Sequence, residues 1–395
     1  MSAHAHGVHQ FLTIEDRFHL QNETTQQVIN RVNRKAWKDR RVLIIGITGF
    51  VGSWLSEILS SPEVGAKIYG LVRRQSNPNL VNIEHILHRN NVSLLKGDLH
   101  DIGSILTAVR DSEAEVVFHL AAQSFVPYSF ASPMDTYVTN VIGTVNVLEA
   151  LRLASHNVVM HFAGSSEEYG LVLAGTEHYE EMLKKYGAIL PLPQRNEEGK
   201  VISETPVKET NPLRTVGTSP YGSSKRQAED ACRTYVSCYG SKVHLTRAFN
   251  HTGPRRGNEF VSSEITRQIA MGIKYGRKEV RLGNLSSVRD FNDVRDIVLG
   301  YLLSIEKGVP GEVYNLACGN GTSISGLLNL AMTTAKQKFK LSEMSYRIDD
   351  SRLRPTDLPI LVGDATKAKN DLGWRPLIPL ERTILEMIEY NLARI

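Results

Sequence analysis

From Arg41 onward, short apolar runs alternate with longer stretches of helical texture. Residues 42–45 are a continuous Val-Leu-Ile-Ile run, as a strand buried on both faces requires. Comparable runs at 66–72, 92–95, 116–120, 158–163 and 243–247 predict five more strands. Residues 54–59, 139–153 and 223–239 read as helices between them. This alternation predicts βαβ units, and so an α/β fold built on a Rossmann-type doubly wound parallel sheet. After Asn250 the pattern becomes irregular, as expected of a smaller, mixed α/β C-terminal substrate-binding domain.

Two stretches stand outside the alternation. Residues 1–38 are polar, with His4, His6 and His9 near the start; nothing nearby completes a metal site, so no metal is expected. Residues 22–39 predict one helix, with Val28, Ile29 and Val32 on one side. Residues 171–206 carry Glu177, Glu180, Glu181, Lys184 and Lys185, then Pro191, Pro193 and Gly199, and predict an insertion made of a short helix and a loop. A lid, a subunit contact and a solvated excursion all fit it equally.

Composition narrows the class. The chain is 41% hydrophobic, enough for a sizeable core, and its net charge of +4 comes from dispersed Lys and Arg. A nucleic-acid stripe is therefore not expected, whereas an anionic small substrate is compatible. Cys232, Cys238 and Cys318 match neither a zinc pattern nor a disulfide framework, and read as free thiols. No run resembles a signal peptide or a membrane span, so a soluble, cytoplasmic protein is expected, with no membrane partner.

The first strand runs into Gly46-Ile47-Thr48-Gly49-Phe50-Val51-Gly52 and then a helix. Glycines there permit a tight turn and let a pyrophosphate reach backbone N–H groups at a helix N-terminus. The second strand ends in Leu71-Val72-Arg73-Arg74, where an NAD enzyme would carry an acid. Two guanidinium groups suit a 2′-phosphate, so NADP is the expected cofactor. Asp98, in Lys96-Gly97-Asp98-Leu99, is placed to accept from the adenine amino group. Downstream, Tyr221-Gly222-Ser223-Ser224-Lys225 opens the long helix, with Tyr221 and Lys225 one turn apart on one face. The lysine charge is expected to lower the phenol pKa so that the tyrosinate acts as a base. The fifth strand ends in Gly164-Ser165-Ser166-Glu167-Glu168-Tyr169-Gly170, which offers a hydroxyl and a carboxylate at the end where open parallel sheets bind ligands.

This combination resembles the extended short-chain dehydrogenase/reductase family over about residues 39–395. Two of its groups match best. GDP-mannose 4,6-dehydratases are resembled by Leu71-Val72-Arg73-Arg74-Gln75-Ser76, by Asn250-His251-Thr252-Gly253-Pro254-Arg255-Arg256-Gly257 and by Gly363-Asp364-Ala365-Thr366-Lys367-Ala368-Lys369 with Leu372-Gly373-Trp374. GDP-4-keto-6-deoxymannose reductases are resembled by the segment from Gly164 to Gly170, by Val288-Arg289-Asp290-Phe291 and by Arg352-Leu353-Arg354-Pro355-Thr356-Asp357. The resemblance implies a cofactor site that also takes in Leu99, Leu120, Ala121, Ala122, Asn250 and His251. It implies catalysis by Ser165, Glu167, Tyr221 and Lys225. Tyr221 would remove the sugar 4-hydroxyl proton while C4 is oxidised, Ser165 would hold the same oxygen, and Glu167 would take the C5 proton before water leaves C6. Arg256, Arg289 and Arg354 would hold the diphosphate of a GDP-sugar. Asn250 would bond a phosphate or sugar oxygen, Phe260 and Val261 would line the base pocket, Ser124 would face the sugar and Asn140 would steady the sheet nearby.

The implied organisation is an N-terminal extension (1–38), an NADP-binding Rossmann domain (39–249) that also receives a segment near 285–320, and a mainly substrate-binding remainder (250–395). The family implies a homodimer or homotetramer. Within this class a 4,6-dehydratase, a 4-keto reductase and a 4-epimerase share one scaffold. A non-catalytic, cofactor-sensing scaffold protein is the alternative outside enzymes, disfavoured by the intact Ser165, Tyr221 and Lys225.

Overall fold

The computed structural model describes residues 23–154, 157–339, 341–354 and 357–395. Its centre is a seven-stranded sheet: β1 (Arg41–Ile45), β2 (Lys67–Val72), β3 (Val92–Lys96), β4 (Val116–His119), β5 (Val159–Ser165), β6 (Lys242–Ala248) and β7 (Val313–Leu316). The spatial order is β3-β2-β1-β4-β5-β6-β7, and every pair is parallel. The chain moves outward from β1 to β3, then returns to start again at β4 beside β1. Strand order reverses there, which opens a crevice beyond the carboxyl ends of β1 and β4.

Strand periodicity explains why both faces are covered. Along β1, Val42 and Ile44 enter one apolar cluster while Leu43 and Ile45 enter another. Helices α1 (Phe50–Leu59) and α7 (Val294–Lys307) supply Trp54, Leu55, Ile297 and Val298 to the first. Helices α2 (Ile102–Ser112), α3 (Gly143–Ala154) and α5 (Pro220–Tyr239) supply Ile105, Val147 and Ala228 to the second. A third cluster lies among α6 (Val261–Tyr275), α8 (Ile324–Phe339) and α9 (Leu380–Arg394), beside the small sheets formed by Glu279–Leu282 with Ser345–Ile348 and by Gly321–Ser323, Val288–Asp290 and Ile360–Leu361. Arg295, wholly buried, joins this part to the sheet: it is bidentate to Asp293 at 2.8 and 2.7 Å and reaches Glu386 of α9 at 2.8 Å.

Three expectations change. Residues 22–39 are not one helix: 23–29 are helical, then the chain breaks and Asn33 precedes a separate turn, Arg34–Trp37. The break lets Val28, Ile29, Val32 and Trp37 all pack into the first cluster. The helix read from 139 begins earlier, at Pro133, and passes through a π-turn, Val138–Ile142, before continuing as α3. The insertion contains helix α4 (Thr176–Tyr186), as expected, but is not a loose excursion. Leu171, Leu173, Tyr179, Met182, Ile189 and Val201 form a cluster of their own, and buried Arg214 pairs with both oxygens of Glu204 at 2.5 and 2.6 Å. His4, His6 and His9 lie outside the described residues, as do Pro355 and Thr356. Among the described residues no helix is long and apolar enough to cross a membrane.

Candidate active site

A cavity of about 1100 Å³ opens where β1, β4, β5 and β6 end, with Ile45, Leu120, Ser165 and Ala248 in its wall. Its floor at β1 is the glycine turn. Gly46 has φ +99°, and a Cβ there would sit 2.8 Å from the Ala121 nitrogen. A Cβ on Gly52 would sit 2.2 Å from the Gly46 oxygen, so α1 packs against the turn only because that side chain is absent. The Gly49 N–H donates to the Gly46 oxygen at 3.0 Å, and Gly49 caps α1. This is a cradle that a bulkier residue would fill. Thr48, Phe50, Val51, Asp98, Leu99, Ala121 and Ala122 line the same end. Arg73 lines it as well, but Arg74 does not.

At the other end lie Ser165, Glu167, Tyr221, Lys225, Asn250 and His251. Ser219 caps α5 by accepting from the Gly222 N–H at 3.1 Å, so Tyr221 sits in the first helical turn. There is no room for a side chain at Gly222, where a Cβ would lie 2.6 Å from the Glu167 oxygen. The helix start therefore seats directly on the turn that carries Ser165 and Glu167. Ser165 Oγ accepts from the Glu167 N–H at 3.2 Å and is near enough to the Tyr221 hydroxyl to draw its pKa down. Asn140 accepts from Gln123 N at 2.8 Å and donates to Ser224 Oγ at 2.9 Å, tying the loop after β4 to α5.

The electrostatics differ from the expectation for the tyrosine. Burial pushes the Tyr221 phenol up to about 12, against the pull of Ser165 and of Arg256. Lys225 is itself desolvated in the free chain. Its ammonium stands 4.3 Å over the Phe162 ring, and burial holds its own pKa down to about 8, opposed by the Glu168 carboxyl. Burial, aided by Arg256, lowers His251 to about 4, so its ring is neutral at pH 7. Arg256 lies between two rings, 3.7 Å over Phe260 and 4.9 Å over Phe50, and its Nε has no partner among the described residues. Burial brings it down to about 10.

The remaining predicted residues, Ser124, Val261, Arg289 and Arg354, also line the cavity, with Phe260. Arg289 is not a free cation: it donates to Asp357 at 2.7 Å, and Arg354 approaches the same carboxylate at 3.9 Å. Sequence reasoning missed Asp357. It also missed a buried network behind Ser165. Glu168 accepts from the Ser165 N–H at 2.7 Å and from Arg247 at 3.2 Å, and Arg247 is bidentate to Glu229 at 2.9 and 2.6 Å. Burial, and next the Glu229 charge, raise Glu168, while Arg247 and the Glu168 hydrogen bond lower Glu229 despite its own burial. The two carboxyls therefore titrate as a pair, Glu168 held up and Glu229 held down. The signal available in the sequence was a charged residue, Arg247, near the end of a strand expected to be covered on both faces.

The model of the NAD dependent epimerase/dehydratase family matches residues 42–317, most of the chain. The chain belongs to the NAD dependent epimerase/dehydratase family. A GDP-mannose 4,6-dehydratase of Sinorhizobium fredii is 31% identical over 90% of this chain and 97% of its own length. Among solved structures, RMD from Pseudomonas aeruginosa, complexed with NADPH, is 25% identical with a TM-score of 0.66, covering 90% of this chain and all of that one. UDP-glucose 4-epimerase of Thermotoga maritima, with UDP-glucose, is 26% identical with a TM-score of 0.67, covering 88% and 97%. Membership in the epimerase/dehydratase family accounts for the glycine cradle facing the Tyr221–Lys225 turn across one cavity: dinucleotide and sugar chemistry meet there.

Proposed function

We propose that this chain is an NADP-dependent GDP-mannose 4,6-dehydratase. The observation that carries the reading is Glu167, a carboxylate on the same turn as Ser165 and in the same cavity as Tyr221, where elimination needs a base. The names of relatives such as the Sinorhizobium fredii enzyme support the substrate. The glycine cradle fits a dinucleotide pyrophosphate, and Arg73 at its rim would take the 2′-phosphate. A nicotinamide dinucleotide held in that cradle would supply reversible hydride chemistry at C4 and C6 with no net consumption.

The side chains supply the proton chemistry. Ser165 orients the 4-hydroxyl beside Tyr221. In the free chain Tyr221 stays protonated at neutral pH, its pKa being about 12. The positive charge of Lys225 and Arg256 must act on it as the hydroxyl docks and its proton is taken. Once C4 is a ketone the C5 proton is acidic, and Glu167 removes it. The C6 hydroxyl leaves as water after receiving a proton from the site. Arg289 and Arg354 would hold the substrate diphosphate, with Asp357 keeping both guanidinium groups in place. The same reading takes 39–249 as the NADP-binding domain, 250–395 as mainly substrate-binding, and the protein as a cytoplasmic homodimer or homotetramer.

Incubation with GDP-mannose and catalytic NADP⁺ tests the reading. The expected product is lighter by one water, with no net NADPH. Stoichiometric consumption of NADPH on a 4-keto-6-deoxy sugar nucleotide, with GDP-mannose left untouched, would overturn it in favour of a reductase.

A further inference from the structure

The mechanism above makes no use of Tyr301. This residue stands on α7, is 2% exposed, and still lines the cavity. Its ring rests on His161 of β5, with centroids 4.1 Å apart. His161 is itself held by Thr246 at 3.1 Å and backed by Phe118, 5.5 Å away. The phenol is therefore clamped rather than free to swing. Its hydroxyl has no hydrogen-bond partner among the described residues, while its carbonyl accepts from the Ser304 hydroxyl at 2.7 Å. The ring is buried but the hydroxyl oxygen is not sealed in protein, and buried tyrosines ordinarily find a partner for the O–H. Here the vacant donor belongs to a rigid side chain at the cavity wall, within electrostatic reach of Tyr221 and Arg256.

Sheet order says which ligand group would meet it. The glycine turn follows β1. On one side lie β2 and β3, with Arg73 and Asp98 at their ends; on the other lie β4, β5 and β6, with Ser165 and Asn250. A dinucleotide with its pyrophosphate at the turn and its adenosine toward Arg73 must lay its nicotinamide half over β4–β6. Tyr301, stacked on β5, serves that side.

We propose that Tyr301 is a cofactor-binding residue whose hydroxyl hydrogen-bonds an oxygen of the nicotinamide half of the bound dinucleotide. This rests on the reading above only in that the chain binds a nicotinamide dinucleotide. Its hydroxyl, together with the stacked His161, holds the ring plane in place for hydride transfer, a role separate from that of Tyr221.

The test is Tyr301→Phe, which removes one oxygen and keeps the stack. Wild type and variant are titrated calorimetrically with NADP⁺, with NAD⁺, and with adenosine 2′,5′-bisphosphate and ADP, which lack the nicotinamide half. The dinucleotide that wild type prefers should bind the variant roughly 3- to 10-fold more weakly, the size of one neutral hydrogen bond. The matching half-ligand should bind both proteins equally, and this control on the same protein separates a lost contact from a damaged fold. Equal dinucleotide affinity in the two proteins, or an equal loss with the half-ligand, overturns the proposal while leaving the functional reading intact. Failure of wild type to bind either dinucleotide overturns both.

Discussion

Arg247→Met would test the network behind Ser165. Arg247 is 2% exposed, holds Glu229 through two bonds and touches Glu168 with a third. Methionine replaces its length and apolar stem but leaves two buried carboxyls facing each other. Glu168 keeps the Ser165 N–H, and Glu229 keeps only the half-exposed Arg233 at 3.0 Å. Breaking a buried ion pair by removing one partner costs about 3–5 kcal/mol. With an unfolding entropy of about 2.1 cal/mol/K per residue, a chain of 395 residues should lose roughly 4–6 °C in Tm at pH 8. The deficit should also depend on pH. Without the guanidinium, the folded-state pKa of the carboxyl pair rises above its unfolded value. Such a group loses stability as pH rises, so the variant should lie closest to wild type near pH 5 and furthest below it at pH 8. Scanning calorimetry at several pH values measures this. A variant as stable as wild type at pH 8, or a deficit that does not change with pH, would refute the reasoning.

Other perturbations address the cavity itself. Glu167→Gln should still oxidise C4 of GDP-mannose, seen as reduced nicotinamide absorbance, while loss of water falls about 100-fold or more; unchanged product by mass would remove Glu167 from its role. Arg73→Ser should weaken NADP⁺ roughly tenfold or more and leave NAD⁺ nearly unchanged. Arg74→Ser should do much less, because Arg74 does not line the cavity; equal effects in the two would contradict the geometry. With the Lys225 pKa down at about 8, its ammonium is lost as pH rises through about 8, and activity should fall on that limb. Tyr221, near 12, stays protonated across that range in the free enzyme, so a pH–rate profile flat to pH 10 would contradict the assignment of the limb to Lys225.

The glycine turn and the Tyr221–Lys225 pair were legible because each rule behind them is local: a turn without side chains, and two residues one helical turn apart. What burial does was not legible. The spacing suggested that Lys225 governs the phenol, yet in the free chain desolvation dominates, and Arg256, 35 residues beyond Tyr221, also acts on it. Tyr301 reads as an ordinary core position in an amphipathic helix, and only the packing of α7 on β5 leaves its hydroxyl at the cavity. The false single helix at 22–39 had good apolar spacing, but the chain breaks before Asn33 so that Trp37 can also be buried. Asp357 stood in a quoted segment, but its pairing with Arg289 was not legible, since it depends on a contact 68 residues away.

The last strand of the sheet has a consequence for how the protein is made. Strand β6 ends at Ala248, but its neighbour β7 begins only at Val313. At typical synthesis rates the intervening stretch of about sixty residues takes roughly 3–13 s to emerge. During that interval β6 is an uncovered edge, with unpaired N–H and C=O groups and the apolar side chains Val243 and Leu245. The nascent chain is then a template for pairing with another copy, and slow translation between Ala248 and Val313 should favour aggregation over folding.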